Sequence, residues 1–260
     1  MFSKIKQKIS NRILKRLLPA DFYLKQRGVC PCCQQATYFV AYDPWLRDSF
    51  KCMSCGSIPR NRALLRVLDQ YIPNWMHLSI HESSPSGGGA SERLRKSCPK
   101  YIASQYYPNE PFGSRVASFQ NENLESQTFA DNTFDLVITQ DVLEHVYDPA
   151  RVFQEIARTL KPGGAHIFCV PLVNKHRPTQ VWATRNQDGS PNFLYEPDFH
   201  GNPVDPRGSP VTMRWGYDIV NFIKEKSGLI TSIEHIDDLE CGIRAEYIEV
   251  LVTRKPLAHF

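Results

Sequence analysis

Four cysteines near the start of the chain are spaced as metal ligands. Cys30 and Cys33 form one Cys-x-x-Cys pair, and Cys52 and Cys55 form a second pair after eighteen further residues. Two residues between thiolates let a tight turn direct both sulfurs at one ion, and two such turns complete a tetrahedral zinc site. Four protein ligands leave no open position, so the predicted Zn²⁺ is structural. A redox dithiol is the alternative, and Cys32 is left over as a fifth cysteine.

Basic charge is concentrated before this cysteine segment. Residues 1–29 contain eight lysines and arginines and one acid, whereas the net charge of the whole chain is only +4. The rest of the chain is therefore mildly acidic and lacks the broad basic surface typical of nucleic-acid binding. Apolar side chains at helical spacing in residues 2–18 predict a basic amphipathic helix. Such a helix suits peripheral membrane contact, docking on protein, or an organellar transit peptide.

The composition predicts a cytoplasmic protein, with membrane contact limited to residues 2–18. No run of 18 apolar residues exists, and Lys15-Arg16 interrupts the apolar stretch near the start, so we expect neither a membrane span nor a secretory signal. Five of the eight cysteines fall within residues 30–55, and this clustering favours metal binding in a reducing compartment over disulfides.

From about residue 75 onward, short apolar strands alternate with helices. His77–Ile80 and Phe134–Thr139 have the composition of buried strands, Ala150–Leu160 has helical spacing, and Ile230–Ile236 and Tyr247–Thr253 form a closing strand pair. This alternation is typical of a doubly wound α/β sheet, in which ligands bind at the carboxyl ends of the strands.

The chain is therefore divided into three predicted parts. Residues 1–29 form the basic helical tail, residues 30–74 form the zinc module and a linking helix, and residues 75–260 form the α/β domain. Within that domain, about residues 171–213 are rich in proline and aromatic residues and show little periodicity, as is typical of a lid or binding loop.

Three motifs follow one another in the middle of the α/β domain. They are Asn132-Thr133-Phe134-Asp135-Leu136-Val137-Ile138, Asp141-Val142-Leu143-Glu144-His145-Val146 and Leu160-Lys161-Pro162-Gly163-Gly164. In these motifs the chain resembles the class I S-adenosylmethionine-dependent methyltransferases, especially the subgroup that includes ubiquinone-biosynthesis enzymes, and bacterial members that carry a zinc ribbon in front. The resemblance covers roughly residues 77–253. It implies a seven-stranded, mostly parallel sheet whose last strand is antiparallel.

The resemblance also assigns residues that would bind S-adenosylmethionine. The usual acidic-x-Gly-x-Gly pattern is missing after the first strand, so Glu82 is expected to place its carboxylate near the cofactor's ammonium group; capping of the next helix is the alternative. Gln105 stands where the family has an acid for the ribose hydroxyls, and Asn123 stands where adenine is contacted. The complete assigned set is Glu82, Ser83, Gln105, Asn123, Leu124, Gln140 and Asp141.

Two histidines are candidates for the base that a hydroxyl acceptor requires. His145 belongs to the second motif, and an imidazole has an unperturbed pKa near neutrality. The alternative is that it stabilises its loop. His200 lies in the lid segment with Glu196 as a candidate partner, or these polar groups simply bond their own backbone.

These features predict methyl transfer to a hydroxyl, or an amine, of a small molecule, a saccharide or a lipid-linked intermediate. A second hypothesis is an RNA methyltransferase whose zinc module and Arg60, Arg62 and Arg66 grip the nucleic acid. The alternative for these three arginines is a solvated helix face or salt bridges to the neighbouring domain. A third is a non-catalytic scaffold with a degenerate cofactor site, since fold alone does not establish function.

Overall fold

The structure, a computed structural model, describes residues 22–202 and 204–257. The amphipathic helix predicted for residues 2–18 lies outside the described residues. The fold consists of a small antiparallel sheet followed by a large mixed sheet with helices on both faces. Among the described helices, none combines the length and the apolar character needed to cross a bilayer.

The N-terminal module contains a three-stranded antiparallel sheet and two helices. The first two strands form a hairpin, and the third pairs with the second. Proline at the first position of the longer helix suits its start, where the backbone amide would have no intrahelical partner. The elements are β1 (Leu24–Val29), β2 (Ala36–Ala41), α1 (Leu46–Ser49), β3 (Lys51–Cys52) and α2 (Pro59–Tyr71).

The remaining strands belong to the large sheet and to the lid. Those of the sheet are β4 (Ile80–Ser83), β5 (Tyr101–Gln105), β6 (Arg115–Val116), β7 (Phe119–Asn121), β8 (Phe134–Gln140), β9 (Leu160–Cys169), β16 (Ile230–Glu234) and β17 (Val250–Arg254). Those of the lid are β10 (Gln180–Val181), β11 (Ala183–Arg185), β12 (Pro191–Phe193), β13 (Phe199–His200), β14 (Ser209–Pro210) and β15 (Met213–Arg214).

The order across the large sheet is β16-β17-β9-β8-β4-β5-β7-β6. Strands β7, β5, β4, β8 and β9 are parallel, and β17 runs antiparallel to both of its neighbours. The predicted doubly wound methyltransferase sheet with an antiparallel last strand is confirmed. The two-residue strand β6 extends one edge, so the sheet has eight strands where seven were expected.

Alternating side chains of the central strands build one apolar core on each face. In β8, Leu136 and Ile138 join the core beneath α2 and α3 (Gly89–Ser97), whereas Phe134 and Val137 join the core beneath α4 (Pro149–Thr159) and α5 (Ile219–Ser227). Burial on both faces explains why this strand is a nearly continuous apolar run in the sequence.

The prediction for the first strand of the sheet was wrong by three residues. Within the expected strand His77–Ile80, His77 is the last residue of a short 3-10 helix (Trp75–His77), residues 78 and 79 are irregular, and the strand itself is Ile80–Ser83. His81 and Glu82 are polar yet fully buried, and His81 Nε2 lies 2.8 Å from Ser104 Oγ. Hydropathy misplaced the strand because hydrogen bonds, rather than apolar character, make these side chains compatible with burial.

Helix α2, predicted as a link, forms part of the main core. Leu64, Leu65 and Leu68 are fully buried and belong to the same apolar cluster as Ile138 and Ile167 of the large sheet. Removal of such side chains from water stabilises each by about 1.5–3 kcal/mol. The zinc module is therefore fixed to one face of the sheet.

Arg62 of α2 is completely buried and joins three chain segments. Its guanidinium group donates hydrogen bonds to the backbone oxygens of Phe50, Ser57 and Gly242 and lies 4.7 Å from the ring centre of Phe39. Among the described residues, no carboxylate forms an ion pair with it. Burial lowers the pKa of Arg62, and the neighbouring cysteine sulfurs oppose this shift.

We expect Arg62→Lys to lower the free energy of unfolding by about 3 kcal/mol, because one ammonium group cannot satisfy three separate buried carbonyls. Urea unfolding of the zinc-loaded protein measures this change. The control is Arg66→Lys at an exposed position of the same helix, for which we expect a change within about 0.5 kcal/mol. Equal effects of the two substitutions would contradict the role assigned to Arg62.

Candidate active site and metal centre

The four predicted zinc ligands converge on one point. Cys30 Sγ lies 3.8 Å from Cys55 Sγ, Cys33 Sγ lies 3.9 Å from Cys52 Sγ, and all four sulfurs are within 4.8 Å of one another. Four sulfurs at the usual zinc distance from a tetrahedral centre are about 3.8 Å apart. The spacing and the donor chemistry therefore fit Zn²⁺. Cys32 is buried but is not one of the converging residues.

Two tight turns and a serine position these sulfurs. The amide of Gln34 donates to the backbone oxygen of Cys30, and the amide of Gly56 donates to that of Cys52. Gly56 has φ +73°, a conformation in which a residue with a side chain is strained. Ser57 Oγ lies 3.3 Å from the sulfurs of Cys30 and Cys55. Its hydroxyl is placed to orient these two ligands.

The predicted cofactor residues lie at one edge of the large sheet. Ser83 is paired in register with Ser104 of β5 and with Thr139 of β8, and Gln105 of β5 is paired with Asn121 of β7. The carboxyl ends of four neighbouring parallel strands consequently meet there. The residues assigned from the family resemblance at these ends are Glu82, Ser83, Gln105, Asn123, Leu124, Gln140 and Asp141.

Glu82 connects the elements around this edge. Its carboxylate accepts hydrogen bonds from Tyr101 Oη at 2.6 Å, Ser91 Oγ at 2.7 Å and Gln140 Nε2 at 2.8 Å. Burial raises the pKa of Glu82, although these donors oppose the shift. The side chain thus joins β4, β5, β8 and α3. No side chain caps the backbone of α3 at its start, so Glu82 does not act as a helix cap there.

The loop after β4 contains a backbone conformation that glycine usually adopts, but a serine occupies that position. Ser84 has φ +53°, which is in the left-handed region. Added Cβ atoms at Gly87 and Gly88 would meet nothing within 4 Å, whereas one at Gly89 would lie 2.7 Å from Asn61 Oδ1. Gly89 is therefore required by the close approach of α2.

Two amide side chains at the ends of β5 and β7 retain free hydrogen-bonding atoms. Gln105 is 7% exposed and its side chain makes no hydrogen bond to other described residues. Asn123 uses Oδ1 to accept from the amide of Glu125 at 2.9 Å, which leaves its amino group available. These two residues can still bond a ligand that lies along the edge.

Side chains of the N-terminal module contact the residues at the carboxyl end of β8. Arg47 and Arg60 form ion pairs with the two oxygens of Asp141 at 2.8 and 2.7 Å, and Asn61 donates to Gln140 Oε1 at 3.0 Å. Asp141, predicted to line the cofactor crevice, is thus compensated by two guanidinium groups. Sequence reasoning missed Arg47 and Asn61, whereas the ion pair of Arg60 with Asp141 agrees with the expected alternative of salt bridges to the neighbouring domain.

The two candidate histidines lie together, with a third residue that sequence reasoning did not select. His145 Nε2 is 3.8 Å and His200 Nδ1 is 3.7 Å from Glu144 Oε1, and the two rings meet edge to face. The carboxylate of Glu144 raises the pKa of His200. The signal that could have identified Glu144 is its position in the second motif, directly before His145. The expected partner Glu196 instead offers its backbone oxygen to Trp182 Nε1.

The lid consists of short ribbons rather than an irregular loop. Strand β10 pairs with β15, β11 with β12, and β13 with β14, all antiparallel. His145 Nδ1 donates to the backbone oxygen of Pro210, and the amide of Thr212 donates to that of Glu144. The lid is therefore fastened to the loop that follows β8.

Residues 96–168 match the family described as "Methyltransferase domain". This range extends from the end of α3 through most of β9 and includes Gln105, Asn123, Asp141 and His145. The prediction of a methyltransferase domain is confirmed by this match.

Two curated relatives and one solved structure are similar to parts of this chain. A methyltransferase of Schizosaccharomyces pombe is 32% identical over 100 residues, which are 38% of this chain and 32% of that protein. Dimethylglycine N-methyltransferase of Parasynechococcus marenigrum is 42% identical over 50 residues, 19% of this chain and 18% of that protein. The chain thus spans a third or less of these relatives. Burkholderia thailandensis 1,6-didemethyltoxoflavin-N1-methyltransferase, solved with S-adenosylhomocysteine, has a TM-score of 0.48 and 11% identity over 76% of this chain and 78% of that chain.

We expect the purified protein to hold one zinc ion, and expect Cys33→Ser or Cys55→Ser to lose it, because a serine hydroxyl is a much weaker zinc donor than a thiolate. Metal analysis after gel filtration measures the zinc content. Cys32→Ser is the matched control and should keep the ion, since its sulfur is not among the converging ligands. Loss of zinc from Cys32→Ser with retention in Cys33→Ser would refute this ligand set.

Proposed function

We propose that this protein is an S-adenosylmethionine-dependent methyltransferase that acts on the hydroxyl group of a small molecule, saccharide or lipid-linked intermediate beneath the lid. The observation that carries the proposal is the set of polar side chains at the carboxyl ends of β4, β5, β7 and β8. Of these four strands, β5, β7 and β8 lie within the methyltransferase match. Ligands of doubly wound sheets bind at this edge.

On the cofactor side, each proposed contact follows from a side chain's place on the edge. Gln105 is suited to the ribose hydroxyls, because its amide is free and lies at the end of β5. The free amino group of Asn123 is suited to adenine. Glu82 acts chiefly by holding β4, β5, β8 and α3 in place, since Ser91, Tyr101 and Gln140 donate hydrogen bonds to its buried carboxylate. The open space at Gly87 and Gly88 suits close approach of the methionine end.

Bound S-adenosylmethionine supplies a methyl group on a sulfonium sulfur. The protein's own contribution is to align the acceptor with that group and to help remove its proton. His145 and His200 suit the second task because His145 lies in the loop that follows β8, and His200, on strand β13 of the lid, lies beside it. His200 is partly exposed, so an acceptor can reach it.

An amine acceptor is the second candidate. It is favoured by the identity to dimethylglycine N-methyltransferase, and the same histidines could receive a proton from an ammonium group. The RNA hypothesis is weakened by the use of its arginines within the protein: Arg62 is buried, Arg60 is paired with Asp48 and Asp141, and only Arg66 is exposed.

Calorimetric titration with S-adenosylmethionine and S-adenosylhomocysteine tests the cofactor site. We expect micromolar binding by the zinc-loaded protein, and about tenfold weaker binding by Gln105→Leu because one hydrogen bond to the ribose is lost. Gln70→Leu, at an exposed position on α2, should bind like the unmodified protein.

No binding by folded protein at millimolar ligand would refute the enzyme and favour a scaffold role. Equal weakening by Gln105→Leu and Gln70→Leu would remove Gln105 from the site.

A further inference from the structure

The carboxylate of Glu144 is buried without a hydrogen-bonding partner. The residue is 2% exposed, and neither of its side-chain oxygens has a hydrogen bond within the described part of the chain. The nearest polar groups are imidazole nitrogens of His145 and His200, at 3.8 and 3.7 Å, which is beyond hydrogen-bond length. A buried carboxylate without hydrogen bonds costs several kcal/mol unless a positive charge lies beside it, and a metal ion held between the three side chains would supply that charge as an alternative to a protonated His200.

His145 is oriented as metal-binding histidines usually are. Its Nδ1 lies 2.9 Å from the backbone oxygen of Pro210, and a carbonyl oxygen can only accept, so Nδ1 carries the hydrogen. Nε2 therefore presents a lone pair, and it is the nitrogen that faces Glu144. A backbone carbonyl that fixes the tautomer in this way is the common outer partner of a histidine ligand.

The three donor atoms are close enough to share one ion. They lie within 4.8 Å of one another, whereas ligands of a tetrahedral zinc ion are about 3.3 Å apart, so ion binding requires side-chain rotations that bring all three donors closer together. Two imidazoles and one carboxylate suit zinc and other first-row transition metals, whereas magnesium prefers oxygen ligands.

We propose that Glu144, His145 and His200 bind a divalent first-row transition-metal ion, at a second site distinct from the four cysteines. Three protein ligands leave a position open toward the lid, as in catalytic rather than structural metal sites. If the proposed methyltransferase function holds, the ion would act as a Lewis acid at that position and would lower the pKa of an acceptor hydroxyl, so that its proton could pass to solvent water. The two histidines then act together as ligands instead of singly as bases.

Co²⁺ is the probe for this site in the full-length protein that already holds zinc. We expect one Co²⁺ per chain by metal analysis after equilibrium dialysis, with no thiolate absorption band and no loss of zinc. Glu144→Gln and His200→Ala should each weaken Co²⁺ binding by at least about tenfold. The control His77→Ala removes an exposed histidine far along the chain from the cluster and should leave binding unchanged.

Stability gives a second measurement that separates the site from a folding defect. Without Co²⁺, Glu144→Gln should unfold at the same or a higher urea concentration than the unmodified protein, because an unpaired buried charge is removed. With Co²⁺ only the unmodified protein should be stabilised.

Failure of the unmodified protein to bind Co²⁺ at about 1 mM, or equal binding by all three variants, would overturn the metal site. Neither result bears on the cofactor titration, which tests the methyltransferase function separately.

Discussion

The buried guanidinium group of Arg62 is the interaction on which the arrangement of this protein depends. Four deprotonated cysteines around Zn²⁺ would carry a net charge of two minus, and Arg62 is buried beside these cysteines with no carboxylate partner among the described residues. Its bonds reach Phe50 and Ser57 in the module and Gly242 in the loop between β16 and β17. The charge of a zinc centre at this position would therefore be partly offset by a residue that also holds the module to the sheet.

The same helix carries this connection to the edge where ligands are proposed to bind. Next to Arg62 in the sequence, Arg60 binds Asp141 and Asn61 binds Gln140, and Gln140 in turn binds Glu82. These contacts run from the helix after the zinc site to the loop after β4. The walls of the candidate site thus come from both the module and the large sheet, and the position of α2 determines their spacing.

Local patterns were enough to predict much of this structure. The zinc ligands follow from spacing, because a two-residue turn has one geometry wherever it occurs, and β8 follows from an apolar run that both faces of the sheet bury. The strand Ile80–Ser83 and the residue Glu144 did not follow, because buried polar side chains resemble surface ones in a sequence. The pairing of Arg47 with Asp141 joins residues 94 positions apart and leaves no local signal.

The contact between Gly28 and the loop at Glu240 bears on how the two parts of the protein can evolve. A Cβ at Gly28 would lie 1.7 Å from the backbone oxygen of Glu240, so β1 sits directly against a segment more than two hundred residues away. Together with the hydrogen bond from Arg62 to Gly242, this contact makes the N-terminal module specific for this sheet. A recombination event that moved the N-terminal module onto another α/β sheet would separate it from this contact surface, so we expect the two parts to be inherited as one unit.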